Sequence, residues 1–342
     1  MGLETISITD PRWITLVQSR SEAAIFHHPV WAELLAEVYG YRPFALIQAD
    51  GEGKAVAGLP LLEVHSWLTG QRYISLPFSD HCAPLANDPV NLTQLTTGLR
   101  LWWEAVNKPR LEIRGALLGE TQLHQQQVAV LHQLDLSPHS NELFANFSKM
   151  HQRNIDKAEK AHVQVEIDTS LEGIEKFYQL HLITRRRLGV PIQPRRYFRP
   201  LWKNLIASGL GFVLLAYKDE QAIAGAVFLY WNNVLVYKYG ASDLAFSSLR
   251  ANNLLFWAAI QWACEHDCRQ LDFGRTDFDN HGLRDFKSGW GATEMPLTYS
   301  YFGEASSSLA NGFTKRVLTK IIKFFPPLAC RIFGELLYGH FA

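Results

Sequence analysis

The sequence is poor in cysteine and carries no net charge, and each absence excludes a class of protein. Four cysteines in 342 residues are too few and too scattered for a scaffold held by disulfides. Thirty-three Lys and Arg balance thirty-three Asp and Glu, so the chain has no broad positive field, and we expect no DNA partner. Hydrophobic residues make up 47% of the chain and aromatic residues 12%, which allows a sizeable core and excludes general disorder.

The sequence also lacks a long apolar run. Its most apolar stretch, residues 222–240, is interrupted by Asn232, Asn233 and Lys238, so it does not predict a membrane-spanning helix. The first residues, MGLETISITDPRW, contain acidic side chains and no apolar segment of the kind that a secretory signal requires. We therefore expect a cytoplasmic location, with the inner membrane surface as the alternative that the C-terminal residues raise.

Motifs of several enzyme and metal-site classes are absent. No HExxH, GxSxG or GxxxxGKS/T occurs, which removes the commonest protease, esterase and nucleotide-hydrolase interpretations. Cys264 and Cys268 are four residues apart, but no second pair of ligands lies near them in the sequence. Buried thiols are therefore favoured over a zinc site, and we expect no metal and no required cofactor.

Two halves of the chain show the same order of predicted elements. Those of the first half cover 26–41 (helix), 44–49, 55–64 and 72–76 (strands) and 92–106 (helix). In the second half, Thr169 and Glu172 form a capping box at the start of a helix. The elements predicted there cover 170–187 (helix), 212–217, 222–230 and 234–239 (strands), 252–266 (helix) and 270–273 (strand). The repeated order indicates an α/β (α+β) protein of two tandem domains, residues 1–147 and 148–303, followed by a helical tail, residues 304–342.

The tail has the composition of a basic amphipathic helix. From residue 304 onward it contains five Lys or Arg and two acids, a local charge of +3. At helical spacing, Val317, Ile321, Ile322 and Phe325 share one face. Two interpretations stay open: a helix packed on the core, and a helix that makes peripheral contact with a membrane or a partner.

Basic residues are concentrated in residues 149–203. This segment contains twelve Lys or Arg and six acids, and Lys149, Arg153 and Lys157 form one basic stripe at helical spacing. A solvated helix face explains such a pattern. A site for an anion such as phosphate explains it equally well, because clustered cations repel one another unless an anion offsets them.

Residues 271–292 combine glycines with charges. The string LDFGRTDFDNHGLRDFKSGWGA contains four glycines beside Arg275, Arg284, Lys287 and several acids. Glycines allow close backbone approach, and charged side chains are poor core material. We therefore predict a loop that forms part of a functional site.

Four blocks in the second half resemble one known family. They are RNIDKAEK from Arg153, TRRRLGVP from Thr184, YKYGASD from Tyr237 and DFGRTDFDNHGLRDFKSGWGA from Asp272. In this order and spacing they are similar to the FemAB-like branch of the GNAT acyltransferases. The resemblance extends over about residues 26–301 and includes LPFSDHCAPL from Leu76. The basic, proline-interrupted tail is similar to that of members associated with exopolysaccharide gene systems.

The resemblance implies two tandem GNAT-like domains that transfer an acyl group, often an aminoacyl group from charged tRNA, to an amine. Phe286 and Lys287 match a pair at the family's reaction centre, where the lysine ammonium would stabilise an oxyanion or a donor phosphate. As a lysine in a turn, Lys287 is expected to contribute little to stability. Tyr237 and Tyr239 are expected to share that pocket. The other residues expected to bind substrate are Arg153, Arg185, Arg186, Arg250, Arg275 and Asp80.

The sequence leaves the donor and the acceptor open. Residues 248–255, SLRANNLL, contain Arg250 but no glycine of the turn that usually holds the pyrophosphate of acyl-CoA. Acyl-CoA bound in the usual way is therefore disfavoured, and charged tRNA or CoA held differently are the remaining donors. The expected acceptor is a small molecule, or a glycan or peptide precursor of peptidoglycan or exopolysaccharide. The alternatives are an acetyl-CoA-dependent N-acetyltransferase of the same superfamily and a non-catalytic scaffold of an envelope-polymer assembly.

Overall fold

The computed structural model describes residues 2–67, 70–119, 123–303, 322 and 327–341. Unit 1 comprises Met1–Ala129, Pro296–Leu309 and Gly339–Ala342, and unit 2 comprises Val130–Met295 and Ala310–Tyr338. Most of the predicted tail, including Val317, Ile321 and Phe325, lies outside the described residues.

Unit 1 consists of a sheet with three helices. Its strands are β1 (Glu4–Ile6), β2 (Arg42–Ala49), β3 (Ala55–Ser66), β4 (Gly70–Ile74), β5 (Leu85–Ala86) and β6 (Arg110–Ile113), and its helices are α1 (Pro11–Ser19), α2 (Pro29–Tyr39) and α3 (Pro89–Ala105). Each helix has a proline in its first turn and a capping side chain, Asp10, His28 or Asp88. The hydrogen-bonded order is β1-β2-β3-β4-β6, in which β4 and β6 run parallel and the other neighbours antiparallel. The helices and strands predicted for the first half are thereby confirmed.

Unit 2 contains the longest of the described helices, α6, with 18 residues. Its strands are β7 (His124–Asp135, beginning in unit 1), β8 (Gln164–Asp168), β9 (Gly211–Lys218), β10 (Gln221–Trp231), β11 (Val234–Ser242), β12 (Gln270–Thr276) and β13 (Thr293–Phe302, ending in unit 1). Its α-helices are α4 (Ser140–Asn146), α5 (Lys149–Lys160), α6 (Leu171–Leu188), α7 (Arg195–Leu201), α8 (Ala251–Glu265), α9 (His281–Ser288) and α10 (Pro327–Leu337). The hydrogen-bonded order is β7-β12-β11-β10-β9-β8. In the described part of the chain, no helix is both long and apolar enough to cross a membrane.

Different helices cover the two faces of the unit 2 sheet. On one face, Phe212 of β9 packs against Trp262 of α8, with 4.4 Å between the ring centroids. On the other face, Phe177 of α6 lies over Gly225 of β10, where a Cβ atom would sit 3.3 Å from the ring. The four cysteines are free and buried, as predicted for Cys264 and Cys268.

The structure differs from two sequence-based expectations. The boundary between the units lies inside β7, between Ala129 and Val130, and not after residue 147, because the second half of β7 pairs with β12. The predicted loop at 271–292 instead contains most of β12 and all of α9, and β13 begins directly after it. A helix forms there because Asn280 caps it by accepting a hydrogen bond from the Leu283 amide.

Two buried histidines make stability depend on pH. Burial lowers the pKa of His27 in unit 1 to about 4 and that of His181 in unit 2 to about 3, from an ordinary value of 6.5. The folded state therefore binds fewer protons than the unfolded state, so stability that is present above pH 6.5 is lost as pH falls towards the folded pKa values. At pH 5 we expect each histidine to have reduced the free energy of unfolding by about 2 kcal/mol. Urea unfolding at pH 7.5 and 5.0 measures this loss. His27→Gln and His181→Gln should each show a shallower pH dependence than the parent protein, and unchanged slopes would contradict the prediction.

Candidate active site

β11 and β12 are parallel neighbours that separate along their length. They pair at three positions, from Val234 opposite Gln270 to Val236 opposite Asp272. Beyond this point β12 continues its ladder with β7 and β11 continues its ladder with β10. The C-terminal ends of the two parallel strands therefore diverge, at the edge of the sheet where α/β folds commonly bind ligands.

Two adjoining cavities occupy this part of unit 2. The first has a volume of about 330 Å³, and its wall contains the aromatic side chains of Tyr237, Phe256 and Phe286. The second, of about 470 Å³, is lined by two cations and two carboxylates, Arg187, Arg250, Asp243 and Asp285. The residues that line both cavities are Arg187, Ser242, Asn252 and Phe286. The two cavities therefore adjoin, and we call them together the cleft.

A β-bulge separates the two tyrosines that were expected to share a pocket. The register of β11 against β10 shifts between Tyr237 and Tyr239, which leaves Lys238 as the extra residue of a bulge. Tyr237 lies in the cleft beside Phe256, with 4.8 Å between the ring centroids. Tyr239 points to the other face of the sheet, where its hydroxyl is 3.0 Å from that of Tyr197. The expectation of one shared pocket is therefore not met, because the bulge breaks the period of two on which it depends.

Gly240 provides the space that the Tyr237 hydroxyl occupies. A Cβ atom at residue 240 would lie 1.8 Å from Tyr237 Oη and 2.8 Å from its Cζ, closer than any non-bonded contact allows. Burial raises the pKa of Tyr237 to about 12. The hydroxyl therefore stays protonated at neutral pH and can donate a hydrogen bond to a ligand in the cleft.

Substitution of Gly240 by alanine should destabilise the protein through this contact. We expect Gly240→Ala to reduce the free energy of unfolding by about 1–3 kcal/mol, because the Tyr237 ring must leave its place. Tyr237→Phe removes the clashing oxygen, so the double variant should recover part of that loss. Urea unfolding of the four proteins forms a double-mutant cycle. Simple additivity of the two substitutions would show that the Gly240–Tyr237 contact is not the cause.

The N-terminus of α8 opens on the charged cavity. Arg250 precedes the helix in a left-handed conformation, with φ of 60°, and no side chain caps the first turn. Arg250, Asn252 and Asn253 all line the cavity. A helix start of this kind presents backbone amides and the positive end of the helix dipole, which favour an anion. The missing glycine in residues 248–255 therefore does not remove the turn, because Arg250 itself adopts the conformation that glycine would supply.

Lys287 is buried, with 3% of its surface exposed, and it lines neither cavity of the cleft. Its Nζ donates hydrogen bonds to the carbonyl oxygens of Gly274, at 2.8 Å, and Arg275, at 3.1 Å. Lys287 thereby ties α9 to β12, directly beside Phe286 in the wall of the cleft. The expectation that its removal leaves stability unchanged does not hold, because both acceptors would lose this donor in a buried place.

A second contact, made by Arg284, also anchors α9. Arg284 donates to both carboxylate oxygens of Glu294 in β13, at 2.8 and 2.7 Å, and this contact lowers the pKa of Glu294. Fork-shaped pairs of this type restrict orientation as well as distance. Together, Arg284 and Lys287 fix the helix that carries Phe286 and Asp285 into the cleft.

His151 of α5 connects two walls of the cleft, and the sequence analysis missed it. Asn253 Nδ2 can only donate, so it donates to His151 Nδ1 at 2.7 Å, and His151 Nε2 then carries the proton that it donates to Phe286 O at 2.8 Å. The ring is fully buried and stacks on Trp290, with 4.2 Å between centroids. Burial lowers the pKa of His151, which favours this neutral form. No local sequence signal predicts such a contact, since its partners lie about 100 and 135 residues away.

Of the three consecutive arginines in α6, Arg187 lines the cleft. Arg185 instead donates to the carbonyl of Pro191, at 2.9 and 2.6 Å, and Arg186 is half-buried outside both cavities. The Thr184 hydroxyl donates to Ser242 O at 3.0 Å, so its face of α6 meets the cleft. Arg187 lies three residues further on that face, and helical spacing from Thr184 would have selected it.

The remaining predicted site residues are dispersed. Arg250 lines the cleft, whereas Arg153 is exposed on α5 and lines neither cavity. Arg275 forms an ion pair with Asp277, at 2.8 Å. Asp80 belongs to unit 1, where its carbonyl accepts a hydrogen bond from the Tyr299 hydroxyl, at 2.7 Å. Among the residues that the structure describes, no group of three or more His, Cys, Asp or Glu side chains is placed to hold a metal ion.

The cleft lies within a segment that matches a known family. Residues 145–288 match the acetyltransferase (GNAT) domain. The Lipid II:glycine glycyltransferase of Staphylococcus saprophyticus is 33% identical over 75 residues, which cover 20% of this chain and 18% of that protein. The chain thus matches less than a fifth of the length of this curated relative.

Three solved structures share the fold. FemX matches with a TM-score of 0.69 and 16% identity, over 94% of this chain and 100% of its own. L-PGS from Bacillus licheniformis matches with a TM-score of 0.55 and 12% identity, over 94% and 99%. A tandem GNAT protein from the clavulanic acid biosynthesis pathway matches with a TM-score of 0.55 and 13% identity, over 89% and 100%. Residues 145–288 therefore carry a GNAT domain, and the chain shares its fold with FemX and with the tandem GNAT protein.

Proposed function

We propose that the protein is an N-acyltransferase that moves an acyl or aminoacyl group to an amine of a cell-envelope precursor. The observation that carries this proposal is the cleft, which joins an aromatic cavity to a charged one inside the GNAT domain. An acyl chain fits the aromatic part, and the charged part suits the anionic remainder of an activated donor. The name of the staphylococcal relative specifies lipid II as acceptor, so a peptidoglycan precursor is the acceptor class that we favour.

Arg187 and Arg250 are the donor-binding residues in this proposal. Both line the charged cavity at the start of α8, where guanidinium groups and the helix dipole would act on the same phosphate. Charged tRNA and acyl-CoA are the two donor candidates, since each carries phosphates and an activated acyl group. The left-handed turn at Arg250 keeps acyl-CoA among them.

Acyl transfer to an amine requires a proton acceptor and a donor of hydrogen bonds to the carbonyl oxygen. Asp285 is an exposed carboxylate in the charged cavity, and it would take the proton from the amine nitrogen as that nitrogen attacks the acyl carbon. The protonated Tyr237 hydroxyl would donate to the carbonyl oxygen as it becomes an oxyanion. When this tetrahedral centre collapses, the bond from the acyl carbon to the ribose oxygen of tRNA or to the sulfur of CoA would break, and that atom would leave with the proton that Asp285 had taken. Lys287 supports this centre by holding Phe286 and by placing a buried positive charge nearby. On the family resemblance, Asp80 is a second candidate for the residue that takes the proton from the acceptor amine.

The proposal is tested by measuring acyl transfer with the purified full chain. We expect an acyl-modified acceptor, detected by mass spectrometry, when the protein is incubated with charged tRNA or acyl-CoA and an amine-bearing peptidoglycan or nucleotide-sugar precursor. Omission of each donor in turn identifies the donor class. Folded protein that transfers from neither donor to any acceptor would contradict the proposal and favour the scaffold alternative.

Replacement of Asp285 by asparagine should remove the proton acceptor and keep the shape of the site. We expect Asp285→Asn to lower kcat by about 100-fold, within the range of general base catalysis. Asp279→Asn is the matched control, because Asp279 is exposed and lines neither cavity. Asp80→Asn is measured beside them. A kcat loss for Asp80→Asn alone would transfer the role of base to Asp80.

A further inference from the structure

A third cavity, of about 380 Å³, lies on unit 2 between the first half of α6, α7 and α10. Its wall includes Glu175 of α6, whereas the cleft begins near Thr184 and Arg187 of the same helix. The third cavity shares no lining residue with the cleft, and the two lining residues of α6 that lie nearest to each other, Gln179 and Thr184, are separated by roughly 7.5 Å along the helix axis. The third cavity is therefore a separate site, and the proposed acyl transfer does not use it.

Four arginines and two glutamates line the third cavity: Arg195, Arg196, Arg199, Arg331, Glu175 and Glu335. Glu175 lies 3.6 Å from Arg195, and Glu335 lies 3.4 Å from Arg196. Glu335 also accepts a hydrogen bond from the Arg195 amide, at 2.6 Å. Both carboxylates are thus engaged. Within the described ranges, Arg199 and Arg331 have no ion-pair partner, so the cavity carries two uncompensated positive charges.

A buried hydroxyl group also faces this cavity. Tyr178 lines it and is 2% exposed, and its hydroxyl has no hydrogen-bond partner that meets normal geometry in the part of the chain that the structure describes. Burial is the largest influence on its pKa and raises it, while Arg331 acts in the opposite direction through its charge and as a hydrogen-bond donor to this oxygen, which leaves the hydroxyl proton without an acceptor. The hydroxyl therefore remains protonated and able to donate. A buried donor without a partner is costly, and a bound acceptor would remove that cost.

The rest of the wall is apolar. Leu171, Ile174 and Phe198 line the cavity, and Ile174 and Phe198 are buried. An apolar surface of this kind makes no favourable contact with a free inorganic ion, whereas a short hydrocarbon chain can pack against it. The two unpaired arginines match the charge of a phosphate monoester, which is about −1.5 to −2 at neutral pH, better than that of a carboxylate.

We propose that this cavity binds a phosphate monoester carried on an apolar chain. Arg199 and Arg331 pair with the phosphate oxygens, the Tyr178 hydroxyl donates to one of them, and the chain lies against Leu171, Ile174 and Phe198. The site would hold the phosphate end of an amphiphilic molecule apart from the cleft, and it does not depend on the identity of the transferred group.

Calorimetric titration of the full chain with hexyl phosphate, inorganic phosphate and hexanoate tests the proposal. We expect hexyl phosphate to bind at least about ten times more tightly than either of the others, because it alone supplies both halves of the ligand. Equal affinity for inorganic phosphate would overturn the apolar half of the proposal, and equal affinity for hexanoate would overturn the choice of phosphate. Absence of binding by all three would overturn the site.

Variants locate the binding on the molecule. Arg199→Gln together with Arg331→Gln should weaken hexyl phosphate binding by about 100-fold, and Tyr178→Phe by about threefold to tenfold. Arg153→Gln is the matched control, since Arg153 is exposed and does not line this cavity. Circular dichroism spectra establish that each variant is folded. Binding that survives in the double variant, or that falls equally in Arg153→Gln, would overturn the assignment.

Discussion

Replacement of Lys287 by alanine will lower both the stability and the turnover of the protein. The substitution removes a buried ammonium from the carbonyl oxygens of Gly274 and Arg275, at 2.8 and 3.1 Å. Buried acceptors that lose a charged donor cost about 2–4 kcal/mol of unfolding free energy. Turnover of folded protein should fall by about two orders of magnitude, because α9 loses its anchor beside Phe286 and the centre loses a fixed positive charge. Urea unfolding and initial rates below the melting transition measure the two effects.

Lys287→Met separates the charge from the side-chain volume. Methionine fills most of the space of the lysine stem but donates no hydrogen bond. If the ammonium is what matters, Lys287→Met should resemble Lys287→Ala in kcat and recover part of the stability. Lys157→Ala, on the exposed side of α5, serves as the control for loss of a lysine. An unchanged melting temperature in Lys287→Ala would contradict the burial of this side chain, and full activity would remove it from the proposed mechanism.

Replacement of His151 by phenylalanine will disconnect α5 from the cleft while keeping an aromatic ring against Trp290. Phe286 O and the Asn253 side chain both lose their partner, so we expect the free energy of unfolding to fall by about 2–3 kcal/mol. Both walls of the cleft depend on these contacts, and kcat should fall by about tenfold or more, with a rise in KM. His151 is a positioning residue in this account, and a loss of stability without any change in kcat or KM would contradict that role.

His266 offers a matched control for His151. It also stacks on a tryptophan, Trp262, with 4.0 Å between ring centroids, and its Nδ1 lies 2.8 Å from Trp262 O. His266 is exposed and lines neither cavity of the cleft. His266→Phe should therefore leave kcat and KM unchanged and alter the unfolding free energy by no more than about 0.5 kcal/mol.

The sequence predicted those features that depend on local patterns. Apolar spacing located α2, α3, α6 and α8, and short apolar runs located the strands that follow them. Tyr237 and Phe286, which lie in the FemAB-like blocks, and Arg250 of residues 248–255 line the cleft, and their roles stay predictions. The helices and strands could be predicted in this way because side-chain periodicity and capping depend on only a few neighbouring residues.

Features that depend on distant partners were not predictable. The bulge at Lys238 requires the register of β10 against β11, and this register reverses the direction of Tyr239. The burial of Lys287 requires β12 to supply two carbonyl acceptors. Arg185 was chosen over Arg187 because a run of equal charges carries no information on which side chain faces the sheet. In each case, the position of the side chain depends on contacts between elements that are distant in the sequence. No single segment therefore contains the information needed to predict it.

The division of β13 between the two units has a consequence for synthesis. Residues 300–302 pair with β6, from Ser300 opposite Ile113 to Phe302 opposite Leu111, and Phe302 is fully buried in the core of unit 1. The ribosome synthesises the chain from the N-terminus to the C-terminus, and domains usually fold in the order in which they emerge from it. Here β13, the neighbour of β6 on the side away from β4, is made after all of the GNAT-matching residues 145–288. We therefore expect the first-synthesised half to complete its sheet last, and to need protection of the open edge of β6 while the remainder is translated.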